Sequence, residues 1–446
     1  MSRKKRTHLR GKRGQAFANK IRGISLERIL CVSIDIHKYF HVVMLHNALG
    51  EIVTPTFEID IFQTGLEQLC QAIKEATVRV GAQVILTGME PTSHYFENLA
   101  RHLQDGPHPV TLINCFAVKE NRDQQMMHYE KDDEIDTAAI GDLLRRGEGS
   151  PYLPARGIYL EMQQLDRVRI SKIKIRTMLK NQIIGHLDRI FPGLVIVADA
   201  GKERYTPMFA TDFWSCQTIQ HLIRVCPDPR QLAAMSTPEL IDAFHAHSYA
   251  MGHITANKII TYARKVLLPD AELIAIRSEL MTHDIALFDN VQNHITQLEE
   301  RLCALLAKTP YQIWTQLKGF SIIQVASLAA AIGDPANYNV AKQVFRRSGL
   351  VCGRNDSGTR KRKGKGKHVS KAGDVYIRRN LMNGVSTLLL HQPVLHRYYH
   401  KLKRVKPGGV ARVATARRAM GILWAIQRDQ HSRTLVLKKG QHNVDL

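Results

Sequence analysis

The apolar positions along the chain change their period several times, and each change marks a candidate boundary. Residues 1–28 show no apolar periodicity and read as a basic, disordered arm. Residues 30–36 form a short apolar run with the character of a buried strand. Residues 41–46 and 51–57 flank Asn47-Ala-Leu-Gly50, a glycine-containing turn, and together predict a hairpin. Residues 63–80 take helical spacing, with Leu66, Leu69, Ile73 and Val78 among the apolar positions. A strand over 83–87, a helix over 94–103, a strand over 109–113 and a helix over 134–145 follow.

Strands joined through helices pair in parallel. The first strand is therefore expected at the centre, with the hairpin supplying antiparallel partners on one side. That is the order of a ribonuclease-H-like domain, here spanning 29–150. Two long helices come next. One covers 158–191 and carries Leu165, Val168, Ile175, Leu179, Ile183, Leu187 and Ile190. The other covers 272–306 with Ile276, Leu280, Leu287, Val291, Ile295, Leu298, Leu302 and Leu305 at near-heptad spacing. An antiparallel hairpin, an intersubunit coiled coil and a plain bundle all fit this spacing. The region 151–310 thus reads as a long helical, coiled-coil middle, interrupted at 192–270 by a mixed, mostly helical insertion to which no function is assigned. Residues 311–430 read as a mostly α C-terminal domain, with a helix–turn–helix-like run at 317–333 and helical stretches over 373–402 and 410–429. Residues 431–446 read as a tail. The glycine turn at 317–333 fits either a phosphate held at a helix N-terminus or simple packing.

Charge then narrows the function. The chain has 446 residues, 63 Lys and Arg against 40 Asp and Glu, and a net charge of +23. A soft length prior gives about three domains. The positive balance implies a polyanionic partner, with nucleic acid the default. No apolar run approaches the roughly 20 residues of a spanning helix, and the basic N-terminus is not followed by the apolar segment of a secretory signal. The arm fits a phosphate-tracking segment or a merely solvated one. The seven cysteines are widely spaced with no C-x-x-C pair; this points to reduced thiols in a cytosolic setting and away from disulfides or a zinc knuckle. The histidines are scattered, without a trustworthy metal-ligand pair.

Two constellations carry candidate chemistry. Asp35 ends the first strand and Glu90 lies just past the fourth, so parallel neighbours would bring both carboxylates out at one sheet edge. Asp133 and Asp136 are three residues apart at a helix start and share a face. Four converging carboxylates repel one another, and a hard divalent ion, Mg²⁺ or Mn²⁺, is the natural relief; a pair of such ions supports phosphoryl transfer. Each acid alone also fits an ordinary cap or surface role, and Asp132 and Glu134 flank the pair as rival assignments. The second constellation is the segment 349–383. Ser357 precedes Arg360, Lys361, Arg362, Lys363, Lys365 and Lys367, with Lys371, Arg378 and Arg379 beyond. It reads as a nucleophilic hydroxyl on a loop that clamps a nucleic-acid backbone, or as a solvated basic loop with an ordinary turn serine.

Taken together, these residues resemble the DEDD insertion-sequence transposases, which join an N-terminal RuvC-like domain to a C-terminal serine transposase domain and are also described as bridge-RNA-guided recombinases. The resemblance covers roughly 29–148 and 313–405. It rests on Ser33-Ile-Asp-Ile36 with Lys38, Glu90-Pro-Thr-Ser-His-Tyr95, Lys131-Asp-Asp-Glu-Ile-Asp136, Gly349-Leu350, Ser357-Gly358, and Ser370-Lys-Ala-Gly-Asp374 running into Arg378-Arg-Asn-Leu381. The sequence departs from the family where Thr92-Ser93 replaces Thr-Gly, where Asp132 replaces a hydroxyl residue, and where Gly319-Phe-Ser321 replaces Gly-x-Gly. The resemblance implies that Asp35, Glu90, Asp133 and Asp136 form a metal-binding tetrad and that Ser357 attacks a DNA phosphate to form a covalent phosphoserine link. It further implies donor and target DNA, a structured non-coding guide RNA, a homo-oligomer from dimer to tetramer, no membrane, and a cytoplasmic, nucleoid-associated setting in a bacterium or archaeon. Two other readings stay open: a RuvC-like junction nuclease acting by hydrolysis, and a non-catalytic nucleic-acid-binding scaffold.

Overall fold

The computed structural model describes residues 11–125, 132–194, 213–338, 340–350 and 373–441, and the chain divides into two compact units between Pro154 and Ala155. In the first unit, helix α1 (Gly11–Ile21) and a single 3-10 turn (Leu26–Arg28) lead into β1 (Ile29–Ile36), β2 (Phe40–Asn47) and β3 (Ile52–Asp60). Helix α2 (Gln63–Val80), β4 (Val84–Met89), α3 (Glu97–Asp105) and β5 (Val110–Leu112) follow. Helix α4 (Cys115–Glu120) then runs into a π-helical turn (Asn121–Gln125), before α5 (Asp133–Arg145) and the short β6 (Ser150–Pro151).

The sheet order is β3-β2-β1-β4-β5-β6. Strand β1 pairs antiparallel with β2 and parallel with β4. This is the expected arrangement, with the first strand central and the hairpin on one side. All eight residues of β1 are buried, because the sheet is covered on both faces. The two-residue period of the strand sorts its side chains. Leu30, Val32, Ile34 and Ile36 pack with Leu69 and Ile73 of α2 and Leu99 and Leu103 of α3. Ile29 and Cys31 pack instead with Ala139, Ile140, Leu143 and Leu144 of α5. By the same alternation Ser33 and Asp35 belong to the α5 side.

Helix α5 lies close over β1 because Gly141 has no side chain. A Cβ there would come 2.3 Å from His46 Nε2 and 2.7 Å from Ser33 Oγ, two buried groups hydrogen-bonded to each other at 3.1 Å. This close approach sets where the first turn of α5 falls relative to the end of β1.

The N-terminal arm differs from expectation. Residues 11–21 are helical, and Phe17, Ile21 and Ile24 pack against the core on the α5 side. Their spacing is that of one helical face, masked in the sequence by the surrounding basic residues; residues 1–10 lie outside the described residues. Helix α4 and strand β6 were also not anticipated, being shorter than a periodicity can register.

The second unit is helical throughout its described residues. Its elements are α6 (Gly157–Ile190), α7 (Gln217–Val225), α8 (Pro229–Ala234), α9 (Thr237–Ala246), α10 (His253–Lys265), α11 (Ala271–Leu306), α12 (Ile322–Ile332), α13 (Ala341–Arg347), α14 (Val375–His391), α15 (Pro393–Lys403) and α16 (Gly408–Gln441). Helices α6 and α11 form an antiparallel pair within one chain. Arg169 meets Glu299 at 2.6 Å, Arg176 meets Gln292 at 2.9 Å, and His186 meets Asp284 at 3.4 Å, so one helix descends as the other rises. The pair is shared by two cores. One contains Leu179, Ile183 and Leu187 of α6 with Ile219, Leu240, Phe244 and Ile259 of α7–α10. The other gathers Met162 and Leu302 with Tyr311, Trp314 and residues of α12, α14 and α16. The described residues 213–270 therefore pack as part of the helical unit.

Three further details depart from the sequence reading. Val168, Ile276, Leu280 and Leu287 are exposed, whereas Met281, Ile285 and Phe288 are buried, because α11 presents a second face to α7–α10 that near-heptad counting skips. The stretch 373–402 is broken at Pro393, which lacks the N–H needed to continue a helix and instead starts α15. Helix α16 runs on to Gln441, past the tail expected from 431. No helix among the described residues is long and apolar enough to cross a membrane.

Gly141→Ala forces α5 off the sheet. It is expected to destabilise the first unit by about 1–3 kcal/mol, the scale of core overpacking, and to weaken binding of a divalent ion at the acids that α5 carries. Chemical denaturation followed by calorimetric Mn²⁺ titration measures both; unchanged stability and affinity would refute the close-packing account.

Candidate metal centre and nucleic-acid interface

The acids meet at the C-terminal edge of β1. The parallel register pairs Ile34 with Met89, so the next position on each chain sets Asp35 beside Glu90. Helix α5 begins there too. Asp132 is its N-cap, its carboxylate accepting the Glu134 N–H, which satisfies one of the unpaired amides of the first turn. Asp133 and Asp136 follow on one face. The rival assignments are thereby separated: Asp132 caps the helix, and Glu134 lines a different cavity with His46, Asp142, Arg145 and Arg146.

His37, just beyond β1, ties the acids together. Its Nε2 lies 3.1 Å from Asp35 Oδ2 and 3.5 Å from Asp133 Oδ1. One ligand atom from each of Asp35, His37 and Asp133 falls within 4.8 Å of the others. Two carboxylate oxygens and an imidazole nitrogen suit a divalent cation that accepts mixed oxygen and nitrogen donors. Asp136 is buried, and its Oδ1 meets the Arg122 guanidinium at 2.5 Å. Glu90 stands apart from the three-residue cluster and takes a hydrogen bond from the Cys115 thiol; burial, then Glu90, pushes that thiol up to about 11. The structure thus brings Asp35 and Asp133 into one cluster, holds Asp136 beside them on an arginine, and keeps Glu90 at the same edge against Cys115.

Burial raises the pKa of the Asp35 carboxyl; His37 opposes the rise, and the charges of Asp136 and Asp133 add to it. The carboxylate form is therefore under electrostatic pressure that a bound cation relieves. Sequence reasoning missed His37 and Arg122. His37 stands two positions after Asp35, and the strand period alone could have found it. Arg122 sits in a π-helical turn that no periodicity predicts.

The basic segment is harder to place. Ser357, Arg360, Lys361, Arg362, Lys363, Lys365, Lys367 and Lys371 lie outside the described residues. The residues that bracket them are in contact. Gly349 has φ +66°, a left-handed conformation that favours glycine. A Cβ on Gly373 would lie 2.5 Å from the Gly349 nitrogen, and the Asp374 N–H donates to the Arg347 carbonyl. The described residues on either side of the segment thus meet, and Asp374 caps α14 by accepting the Tyr376 and Ile377 N–H groups. Arg378 donates to the Ser348 carbonyl at 3.4 Å. Arg379 lies 5.8 Å over the Tyr376 ring.

Because the folded-state pKa of Asp35 is raised, its ionisation destabilises the metal-free chain as pH rises through that value. Asp35→Asn is expected to raise the neutral-pH melting temperature of the metal-free protein by up to a few degrees, roughly the scale of 1 kcal/mol, and to abolish the added stabilisation by Mn²⁺. In the wild type, Mn²⁺ affinity falls on acidification before an ordinary carboxylate would protonate. Thermal melts across pH with and without Mn²⁺ check this; a metal-induced shift that survives in Asp35→Asn would contradict it.

Two known protein families match the chain. Residues 32–192, from β1 through α6 and including all four acids, match the transposase family DEDD_Tnp_IS110. Residues 311–400, spanning the bracketed serine segment, match the Transposase IS116/IS110/IS902 family. No curated protein matches the chain. The two matches fall in order along the chain and together cover more than half of it, so the chain belongs to the IS110 family of DEDD transposases.

Proposed function

We propose that this DNA transposase cuts and rejoins strands through a covalent phosphoserine link at Ser357, with Asp35, Glu90, Asp133 and Asp136 holding Mg²⁺ or Mn²⁺. The observation that carries the reading is the approach of Asp35 to Asp133 around His37, from a strand and a helix far apart in sequence. A divalent ion bound there would supply positive charge to a neighbouring phosphate. Asp35 and Asp133 hold that charge in place, His37 fixes the orientation of both, and Arg122 keeps the Asp136 carboxylate turned to the cluster.

In the covalent step, Ser357 Oγ bonds to the scissile phosphorus as it loses its proton to a base. The bond from phosphorus to the leaving sugar oxygen breaks, and that oxygen gains a proton. A sugar hydroxyl of the partner strand then attacks the same phosphorus and returns Ser357 as a hydroxyl. One phosphodiester is exchanged for another, so no external energy source is needed. The contact of Gly349 with Gly373 supports a segment anchored at its base whose lysines and arginines, with Arg378 and Arg379, hold a nucleic-acid backbone. The positive charge of the chain is in keeping with a structured guide RNA beside donor and target DNA. We place the chemistry in a homo-oligomer, from dimer to tetramer, in which the acids of one subunit serve the serine of another, at the nucleoid of a bacterial or archaeal cytoplasm.

Ser357→Ala is expected to abolish strand cleavage and covalent protein–DNA adducts while DNA affinity stays within about twofold, since phosphate contacts dominate binding. Asp136→Ala is expected to block cleavage as well. Adduct trapping on a nicked substrate tests both, together with sequencing of the RNA that co-purifies with the protein. Wild-type cleavage that leaves free ends and no adduct would overturn the covalent mechanism; co-purified RNA without a dominant structured species would overturn RNA guidance.

A further inference from the structure

A second site lies in the first unit on the α2 and α3 side of the sheet, at the turn that follows the Asp35 strand. It is a cavity of about 370 Å³ between the turn after β1, the loop from β3 into α2, and the start of α3. That volume is at the small end of ligand cavities, which run from roughly 300 to 1,000 Å³. The turn joins the two sites: His37 touches the acids, and Lys38, the next residue, lines the cavity.

The lining has two characters. Phe62 and Tyr95 supply aromatic surface, and Phe62 is 70% exposed, so one ring face is open. Asn98, His102 and His41 supply hydrogen-bonding groups. His41 is only 4% exposed, yet its Nδ1 is buried without a hydrogen-bond partner. A buried polar atom left unpaired is costly, and the residue that carries it lines the cavity. His102 turns its Nδ1 to the Asn98 carbonyl at 2.9 Å, which leaves Nε2 for another partner. The one carboxylate of the lining, Asp60, is held by the Phe62 and Gly65 N–H groups and the Thr64 hydroxyl. With Lys38 balanced by Asp60, an open Phe62 face and several hydrogen-bonding side chains, the lining is poorly suited to a bare phosphate. It fits a flat heteroaromatic ring with polar edges.

We propose that this cavity receives one unstacked nucleobase of the DNA strand held at the acids, stacked on Phe62 or Tyr95 and read at its edge by Asn98, His41 and His102. The inference rests on the proposed function, since the acids must hold a DNA strand for the neighbouring base to reach the cavity. Lys38 at the mouth meets the phosphate that links the base to the strand. Base–aromatic stacking is worth about 1–3 kcal/mol per base and tolerates any base; the polar edge of the cavity would add a preference to that tolerance.

The test uses the full chain with a single-stranded oligodeoxynucleotide carrying 5-iododeoxyuridine, in Ca²⁺ to suppress cleavage. Irradiation joins the halogenated base to an aromatic ring stacked on it, and peptide mapping locates the join. Crosslinks are expected within residues 60–66 and 94–102. Asn98→Trp, which fills the cavity, is expected to lower them by about tenfold, the scale of one lost base stack, and Phe62→Ala, at an exposed position, is expected to lower them similarly. Crosslinks confined to other segments, or undiminished in both variants, would overturn the proposal. If such a protein still forms adducts dependent on Ser357, the proposed function stands and the base site alone falls. A chain that binds no DNA overturns both.

Discussion

Carboxylates repel one another, and this fold holds several at the end of one strand. Asp35 and Asp133 offer oxygens within 4.8 Å of each other and of the His37 ring, while Asp35 is largely removed from water. Charges so placed are tolerated only where positive charge answers them. In the metal-free chain Arg122 answers the Asp136 carboxylate, and the His37 ring lies within hydrogen-bond reach of Asp35 and beside Asp133. A divalent ion answers these charges more fully. An ion held there before substrate arrives would give the preorganisation that phosphoryl transfer requires.

The rest of the first unit serves this placement. The alternation of β1 sends its odd-numbered side chains toward α5, so Asp35 faces the helix that carries Asp133 and Asp136. The Asp132 cap fixes where α5 begins. Gly141 lets the helix settle on Ser33 and His46, and the parallel register sets Glu90 level with Asp35. The second unit has a different logic. A long antiparallel helix pair is shared by two cores, and the C-terminal core brings Gly349 and Gly373 together, bracketing the serine-bearing segment.

Much of this was legible in the residues. Strand order followed from the change of period, and the shared edge of Asp35 and Glu90 followed from parallel pairing. The misreadings have physical causes. Helix α1 was hidden because only Phe17 and Ile21 mark its packed face in a run of cations. Helix α11 has apolar residues on several faces, so a heptad count named Ile276, Leu280 and Leu287, which are exposed, and passed over Met281, Ile285 and Phe288, which are buried. The contact of Glu90 with Cys115, like that of Arg122 with Asp136, joins segments whose meeting is decided by tertiary packing, and no local pattern encodes it.

The central claim is that separated acids converge to hold one divalent ion. It is tested most directly by soaking crystals of the protein in Mn²⁺ and locating the ion by its anomalous scattering. The account predicts a peak within about 2.4 Å of carboxylate oxygens of both Asp35 and Asp133, in the range of oxygen-bound divalent ions. Ordered Mn²⁺ elsewhere with none between these two acids, or the two side chains turned apart in the presence of the ion, would contradict it.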